Sequence, residues 1–282
     1  MRNHNFKKDN KMSKFSVPQE ASDELKDGMK DNSGVKLPFA APTMWWLNGK
    51  AAFKNEAVIT DARRFGGWGI SKEEVDELGV QPAPSWTLQD LTNAKGDTYQ
   101  AYICRTAWVT PIARRFSWFE NEGKWRTSIN VLSLLSLRNK EGAFIKYGPV
   151  VLSAKSFTGT ALDAAFKKFA SQTAAFRDGQ LPQFFMHGIG TFGDTPIFQD
   201  AKSKGGASSS ITPPQLFIPK DGFNNENIEK YFAGEYAVEM AKYKKESAEW
   251  VEDWAKRAKK QEEVLPVSHN APVSDEYGDN PF

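Results

Sequence analysis

Three apolar runs follow one another: Ile112-Ala-Arg-Arg-Phe-Ser-Trp-Phe119, Trp125-Arg-Thr-Ser-Ile-Asn-Val-Leu-Ser-Leu-Leu-Ser-Leu137 and Ala143-Phe-Ile-Lys-Tyr-Gly-Pro-Val-Val-Leu-Ser-Ala154. Asn121-Glu-Gly123 and Asn139-Lys-Glu-Gly142 separate them, and both are turn signals. Runs of this length and composition, joined by short turns, predict an antiparallel meander of three strands. Upstream, Thr98 to Val109 reads as one long strand. Its alternation puts Tyr102, Cys104, Thr106 and Trp108 on one face and Ile103, Arg105, Ala107 and Val109 on the other. Trp86 to Leu91 reads as a further strand. So does Ala57 to Thr60, which leads into the glycine-rich bend of Arg63 to Ile70.

Helical spacing appears in three places. Ser71 to Leu78 has a capping-box pattern, with Ser71 as N-cap and Glu74 three residues on. Thr160 to Arg177 carries Leu162, Phe166, Phe169 and Phe176 on one stripe and stops at Asp178-Gly179. Asn225 to Glu263 reads as a long helix, with Tyr236, Met240, Tyr243, Trp250 and Trp254 on one side. That stripe is expected to pack on the sheet, with pairing to a second copy as the alternative. The fold class expected is therefore α+β: a mainly antiparallel sheet body with a mid-chain helix and a long C-terminal helix. The expected divisions are 1–36 as a disordered arm, 37–222 as the β-rich body, 223–264 as the C-terminal helix and 265–282 as a disordered acidic tail.

Charge is uneven over the 282 residues. Residues 1–37 carry a net +2, residues 38–222 a net +5 and residues 223–282 a net −5. A basic middle and an acidic end suit a polyanion binder. The single cysteine, Cys104, excludes an internal disulfide framework and lies in an apolar run, as an inert buried thiol would. Met1 to Lys8 shows no apolar signal core, and no run reaches the roughly 20 residues of a membrane helix. The expectation is a soluble cytoplasmic protein.

The densest chemistry lies between Tyr99 and Arg126, with Tyr102, Arg105, Trp108, Arg114, Arg115, Trp118, Phe119, Lys124, Trp125 and Arg126. Arg63, Arg64 and Trp68 repeat the combination upstream. Aromatic faces that stack on bases, beside cations that follow phosphates, are how single-stranded nucleic acid is held. These residues are the expected DNA-binding set, with the arginines at the surface. About half of the rings must also fill the interior of a half-buried sheet, and alternation alone does not say which.

Other chemistries find little support. His187-Gly-Ile-Gly-Thr-Phe-Gly193 contains a formal G-x-G-x-x-G, but no βαβ pattern precedes it and Asp194-Thr-Pro196 follows where a helix would start. The glycines read instead as places where backbones approach closely. His4, His187 and His269 share no metal-ligand spacing, and there is no nucleophile elbow, P-loop or clustered acid motif. No enzyme activity, metal or cofactor is expected.

The chain closes on Asp275-Glu276-Tyr-Gly-Asp279-Asn-Pro281-Phe282. A terminal carboxylate beside a phenyl ring, behind a stiff proline and three acids, suits an apolar pocket with a basic rim on a partner protein. This tip resembles that of bacterial and phage single-stranded DNA-binding proteins, which end in acids followed by Pro-Phe. It departs from them at Tyr277, Gly278 and Asn280. The resemblance covers about eight residues and implies, by analogy, an OB-like body of phage or plasmid type. It also implies that Asp275, Glu276, Asp279, Pro281 and Phe282 dock replication or recombination proteins. The function expected is single-stranded DNA binding with partner recruitment. The alternatives are an annealing or recombination-mediator protein, and a phage structural or adaptor protein that binds no DNA.

Overall fold

A computed structural model describes residues 36–49, 66–92, 97–121, 124–139, 141–193, 197–202 and 208–252. Met1–Gly34 and Val35–Phe282 separate as two units, and the description concerns the second. Its strands are β1 (Thr43–Leu47), β2 (Gly67–Ser71), β3 (Thr87–Thr92), β4 (Thr98–Cys104), β5 (Thr106–Asn121), β6 (Lys124–Arg138), β7 (Phe144–Lys155), β8 (His187–Gly190), β9 (Gln199–Lys202), β10 (Ser208–Ile211) and β11 (Gln215–Leu216). Nine of them form one curled mixed sheet in the order β11-β8-β5-β6-β7-β1-β2-β4-β3, while β9 and β10 pair by themselves. With its helices the body is α+β.

The expected meander is present as β5, β6 and β7. β5 pairs with β6 from Trp108↔Ser136 out to Asn121↔Lys124, with a register shift between Pro111 and Ala113. β6 pairs with β7 from Ser128↔Lys155 to Arg138↔Phe144, with a shift at Leu135/Ser136. Two features depart from the expectation. The segment 98–109 breaks at Arg105, so that β4 pairs with β2 and β3 while β5 pairs with β6 and β8. Also, β1 runs parallel to β7, at Thr43↔Val151 through Trp45↔Ser153, so the sheet is not wholly antiparallel. Periodicity reports which residues share a face but not which distant strand lies alongside, and β1 and β7 are some hundred residues apart.

The break at Arg105 curls the sheet. β4 and β5 are consecutive in the chain yet stand at distant places in the strand order. Around the bend, β2 and β8 approach from either side. A Cβ on Gly67 would lie 2.4 Å from the Cys104 carbonyl, and one on Gly190 would lie 2.3 Å from the Arg105 carbonyl. Only glycine fits so near a neighbouring backbone. Side chains bridge the same gap: Trp68 Nε1 donates to the Ile189 carbonyl at 2.9 Å, and Thr191 Oγ1 to the Gly66 carbonyl at 2.9 Å.

Inside the curl lies the main core, with Met44, Trp46, Trp68, Ile70, Val109, Ile129, Val131, Leu135, Val150 and Leu152. Helix α1 (Lys72–Glu77) follows β2, and α2 (Ser156–Thr173) follows β7. α2 buries Leu162, Ala165, Phe166 and Phe169 against this core. Fully burying a side chain of leucine or phenylalanine size is worth about 1.5–3 kcal/mol. The helix gives way to a 3-10 turn (Ala174–Phe176), and Asp178 and Gly179 follow with φ of 45° and 77°, close to the expected stop. Before α1, Ser71 is the N-cap but makes no side-chain capping bond. Glu74 instead accepts from the Thr43 backbone N–H at 2.8 Å, tying α1 to β1.

The long C-terminal helix is not shown as one element: its expected start at 225–236 is not α-helical, and residues 253–263 lie outside the described residues. Residues 223–236 form turns and two short 3-10 segments, and α3 spans only Ala237–Glu246. A turn at Ser247 precedes helical backbone over 248–252. The Asn224 side chain accepts from the backbone N–H of Glu226 and Asn227, which holds a turn where a helix would start. The stripe itself packs within the chain: Met240 and Trp250 are buried, with Tyr236 and Tyr243 beside them, over Ile112, Ala113, Leu132, Leu134 and Val151 on the outer side of the meander. Trp254, like residues 50–65, lies outside the described residues.

Candidate nucleic-acid interface

The shift at Pro111/Ala113 fixes which side of β5 each later residue occupies. Arg114 stands opposite Val131 and Phe116 opposite Ile129, on the side facing α2 and the main core. Arg115 stands opposite Asn130, on the side covered by α3. The two adjacent arginines are thus drawn into different layers. Arg114 Nη1 donates to Asp163 of α2 at 2.6 Å, and Lys167 binds the same carboxylate at 3.0 Å. Arg115 is 8% exposed, its guanidinium carbon 4.1 Å from the centre of the Trp250 ring and its Nη1 3.2 Å from the Trp250 carbonyl. Both were expected at the surface. Buried cations survive where the protein provides partners, and here it does.

Other expected residues are also part of the structure. Trp68 is fully buried and edge-on to Trp46, with ring centres 5.0 Å apart, so it serves the core and cannot stack on a base. Trp108 is half-buried. Its ring stacks on Tyr231 at 5.9 Å and 15°, and touches Phe144 and Phe217 at 4.9 and 5.1 Å. A Cβ on Gly188 would lie 2.7 Å from that ring, so this glycine of the formal G-x-G-x-x-G makes room for Trp108 from β8. Tyr102 is half-buried beside Trp86. Arg105 Nη2 donates to the Gly193 carbonyl at 2.8 Å. Arg63 and Arg64 lie outside the described residues, as do Asp275, Glu276, Asp279, Pro281 and Phe282.

The remaining expected residues come together in one place. Beyond Ser117↔Ser128 the β5–β6 ladder runs on, among the described residues, as a two-stranded ribbon, because β7 begins its pairing only at Ser128↔Lys155 and β8 covers only Thr106 to Val109. Along the ribbon Trp118 pairs with Thr127, Phe119 with Arg126, Glu120 with Trp125 and Asn121 with Lys124. Trp118, Phe119, Lys124, Trp125 and Arg126 thus occupy a single hairpin end. Lys155, exposed at its base opposite Ser128, is an addition that the sequence reading missed. Only the strand register brings it there.

No family model, curated protein or solved structure matches the chain.

Two titratable groups among the described residues are strongly shifted by burial. Burial pushes the Cys104 thiol up to about 12, where it stays protonated and unreactive. Burial likewise lowers His187 to about 3, with Nδ1 2.9 Å from the Phe185 carbonyl and the ring packed on Phe166 and Phe169. Among the described residues no three His, Cys, Asp or Glu side chains gather as metal ligands. None of the described helices is long and apolar enough to cross a membrane.

Proposed function

We propose that this chain binds single-stranded DNA and that the β5–β6 ribbon is its principal contact. The observation carrying the reading is the ribbon itself: three aromatic and two cationic residues at the end of a hairpin that runs past its third strand. Base stacking on an aromatic side chain is worth about 1–3 kcal/mol, and phosphate contacts add a salt-dependent term. Trp108, Trp68, Arg114 and Arg115 lie in the folded body and are left out of this surface. The acidic tip, Asp275 to Phe282, would recruit a replication or recombination protein through a pocket that takes its carboxylate and ring.

An OB-like barrel is the finer form of this reading. Its support is a ring of five: the bent β4–β5 segment, β6, β7, β1 parallel to β7, and β2 returning to β4. In OB-folds the hairpin between the first two strands contributes to oligonucleotide binding, and on this reading the ribbon would take that position. The test is a titration of the whole protein with an oligothymidine strand, following Trp fluorescence at two salt concentrations. Quenching that weakens with salt supports the reading. An unchanged signal and no binding at low salt would leave the tail as an adaptor on a body with another role.

A further inference from the structure

One row of register partners crosses the outer side of the sheet. Arg115 pairs with Asn130, Asn130 with Ser153, Ser153 with Trp45 and Trp45 with Gly69, which pairs in turn with Ile103 on β4. Residues directly opposite each other share a side, so the row is continuous over six strands. Trp250 covers its Arg115 end, and Asn130 and Ser153 are buried as well. The row comes to the surface at Trp45, which is half-buried. The adjacent Trp46 points the opposite way, into the main core, where its Nε1 donates to the Thr212 carbonyl at 2.8 Å. Trp45 lies instead over Gly69, where a Cβ would stand 3.2 Å from the indole. Tyr99, also half-buried, is its ring neighbour, with centres 6.3 Å apart and planes at 50°. The two rings pack on Leu91, Ala101 and Ile103, which are almost fully buried.

A cation stands beside this pair of rings. Lys155, two residues beyond Ser153 on β7 and on the same side, is exposed at the base of the ribbon. The Ser128 and Ser153 hydroxyls, 3.3 Å apart, join the row of Lys155 to that of Trp45. No carboxylate occurs in the row from Arg115 to Ile103, so a phosphate near Lys155 meets no like charge there. Aromatic faces beside a cation hold unpaired bases and their phosphates, whereas a duplex keeps its bases paired inward. Resting on the single-stranded DNA reading, we infer that the strand passes from the ribbon over Lys155 onto β1 and β4, where bases stack on Trp45 and Tyr99. From β7 to β4 is three strand spacings, about 14 Å, so this platform adds a few nucleotides to the length of strand the protein holds.

The experiment is the affinity of the full chain for a labelled oligothymidine over a range of salt, read by fluorescence anisotropy, with Trp45, Tyr99 and Lys155 altered one at a time. Trp45→Leu and Tyr99→Leu keep apolar cover on the sheet and remove the stacking face. Each is expected to weaken binding about five- to a hundred-fold at every salt concentration and leave the salt slope unchanged, with Trp45→Phe and Tyr99→Phe recovering most of the loss. Lys155→Ala is expected to lower the slope of log affinity against log salt by about 0.7, the share of one phosphate on a single strand. Should Trp45→Leu fail to fold, the Tyr99 and Lys155 variants decide the matter. Unchanged affinity in the folded leucine variants overturns the platform, and an unchanged slope in Lys155→Ala overturns the path that leads to it, while binding at the ribbon stands. No binding by the unaltered chain overturns the platform and the function together.

Discussion

The β5–β6 hairpin has two halves that share a sequence style and differ in circumstance. From Thr106 to Phe116, β5 is held on every side: β8 and β6 pair with its edges, α2 takes Arg114, and Trp250 covers Arg115. From Ser117 to Asn121 β6 is its only strand neighbour among the described residues. Arginine and tryptophan occur in both halves. In the covered half they are used up by the protein's own layers, and it is the ribbon half that we propose as the ligand contact. A dense cluster of stacking and phosphate-binding residues is therefore a mixture, and the covering elements decide its composition.

The sharpest way to break this comparison is to remove the cover. Trp250→Ala takes a buried indole from the outer layer and should cost about 3–5 kcal/mol in denaturant unfolding. A loss under 1 kcal/mol would mean that Arg115 and the meander face are not covered as described. Next in size is Asp163→Ala, which strands Arg114 beside the main core. Breaking a buried pair costs about 3–5 kcal/mol, and the 19% exposure of the Arg114 side chain places this one near the lower end, at about 3 kcal/mol.

A smaller effect comes through pH. His187 on β8 flanks the covered half, and its folded pKa is lowered to about 3 by burial. The unfolded chain, with a histidine near 6.5, takes up the proton first. Stability from this group is complete above about pH 6.5 and falls toward pH 3, by up to roughly 1.4 kcal/mol per pH unit. Urea midpoints at pH 7, 6 and 5 should decline accordingly, and His187→Leu should flatten the decline. The smallest effect belongs to the ribbon. Lys155→Ala, at the ribbon's exposed base, should move the unfolding free energy by less than about 0.5 kcal/mol, as surface changes do. Losses of core size there would put the ribbon in the covered class and remove the contrast.

The meander and the mid-chain helix were legible in the sequence because their signals are local: turn residues between apolar runs, and a phenylalanine stripe stopped by Asp178-Gly179. The sides of β5 were not. The register shift at Pro111/Ala113 changes the alternation, so continuing the pattern from Trp108 misassigns Arg114 and Arg115. The partner of β1 is fixed by chain closure and not by its five residues. The Asn224 turn replaced a helix start because its side chain competes for backbone N–H groups, a choice that helical spacing cannot reveal. For the candidate site, the sequence offered the residue types only as one undivided group. Their separation into core, clamp and ribbon needed the layers.

The central claim is that single-stranded DNA meets the ribbon. The most direct measurement is photocrosslinking of the full-length protein to a bromodeoxyuridine-substituted single strand, with the attached residues mapped by peptide mass spectrometry. The account predicts adducts concentrated between Ser117 and Thr127, above all at Trp118, Phe119 and Trp125. Adducts that fall elsewhere while these peptides stay unmodified would contradict it.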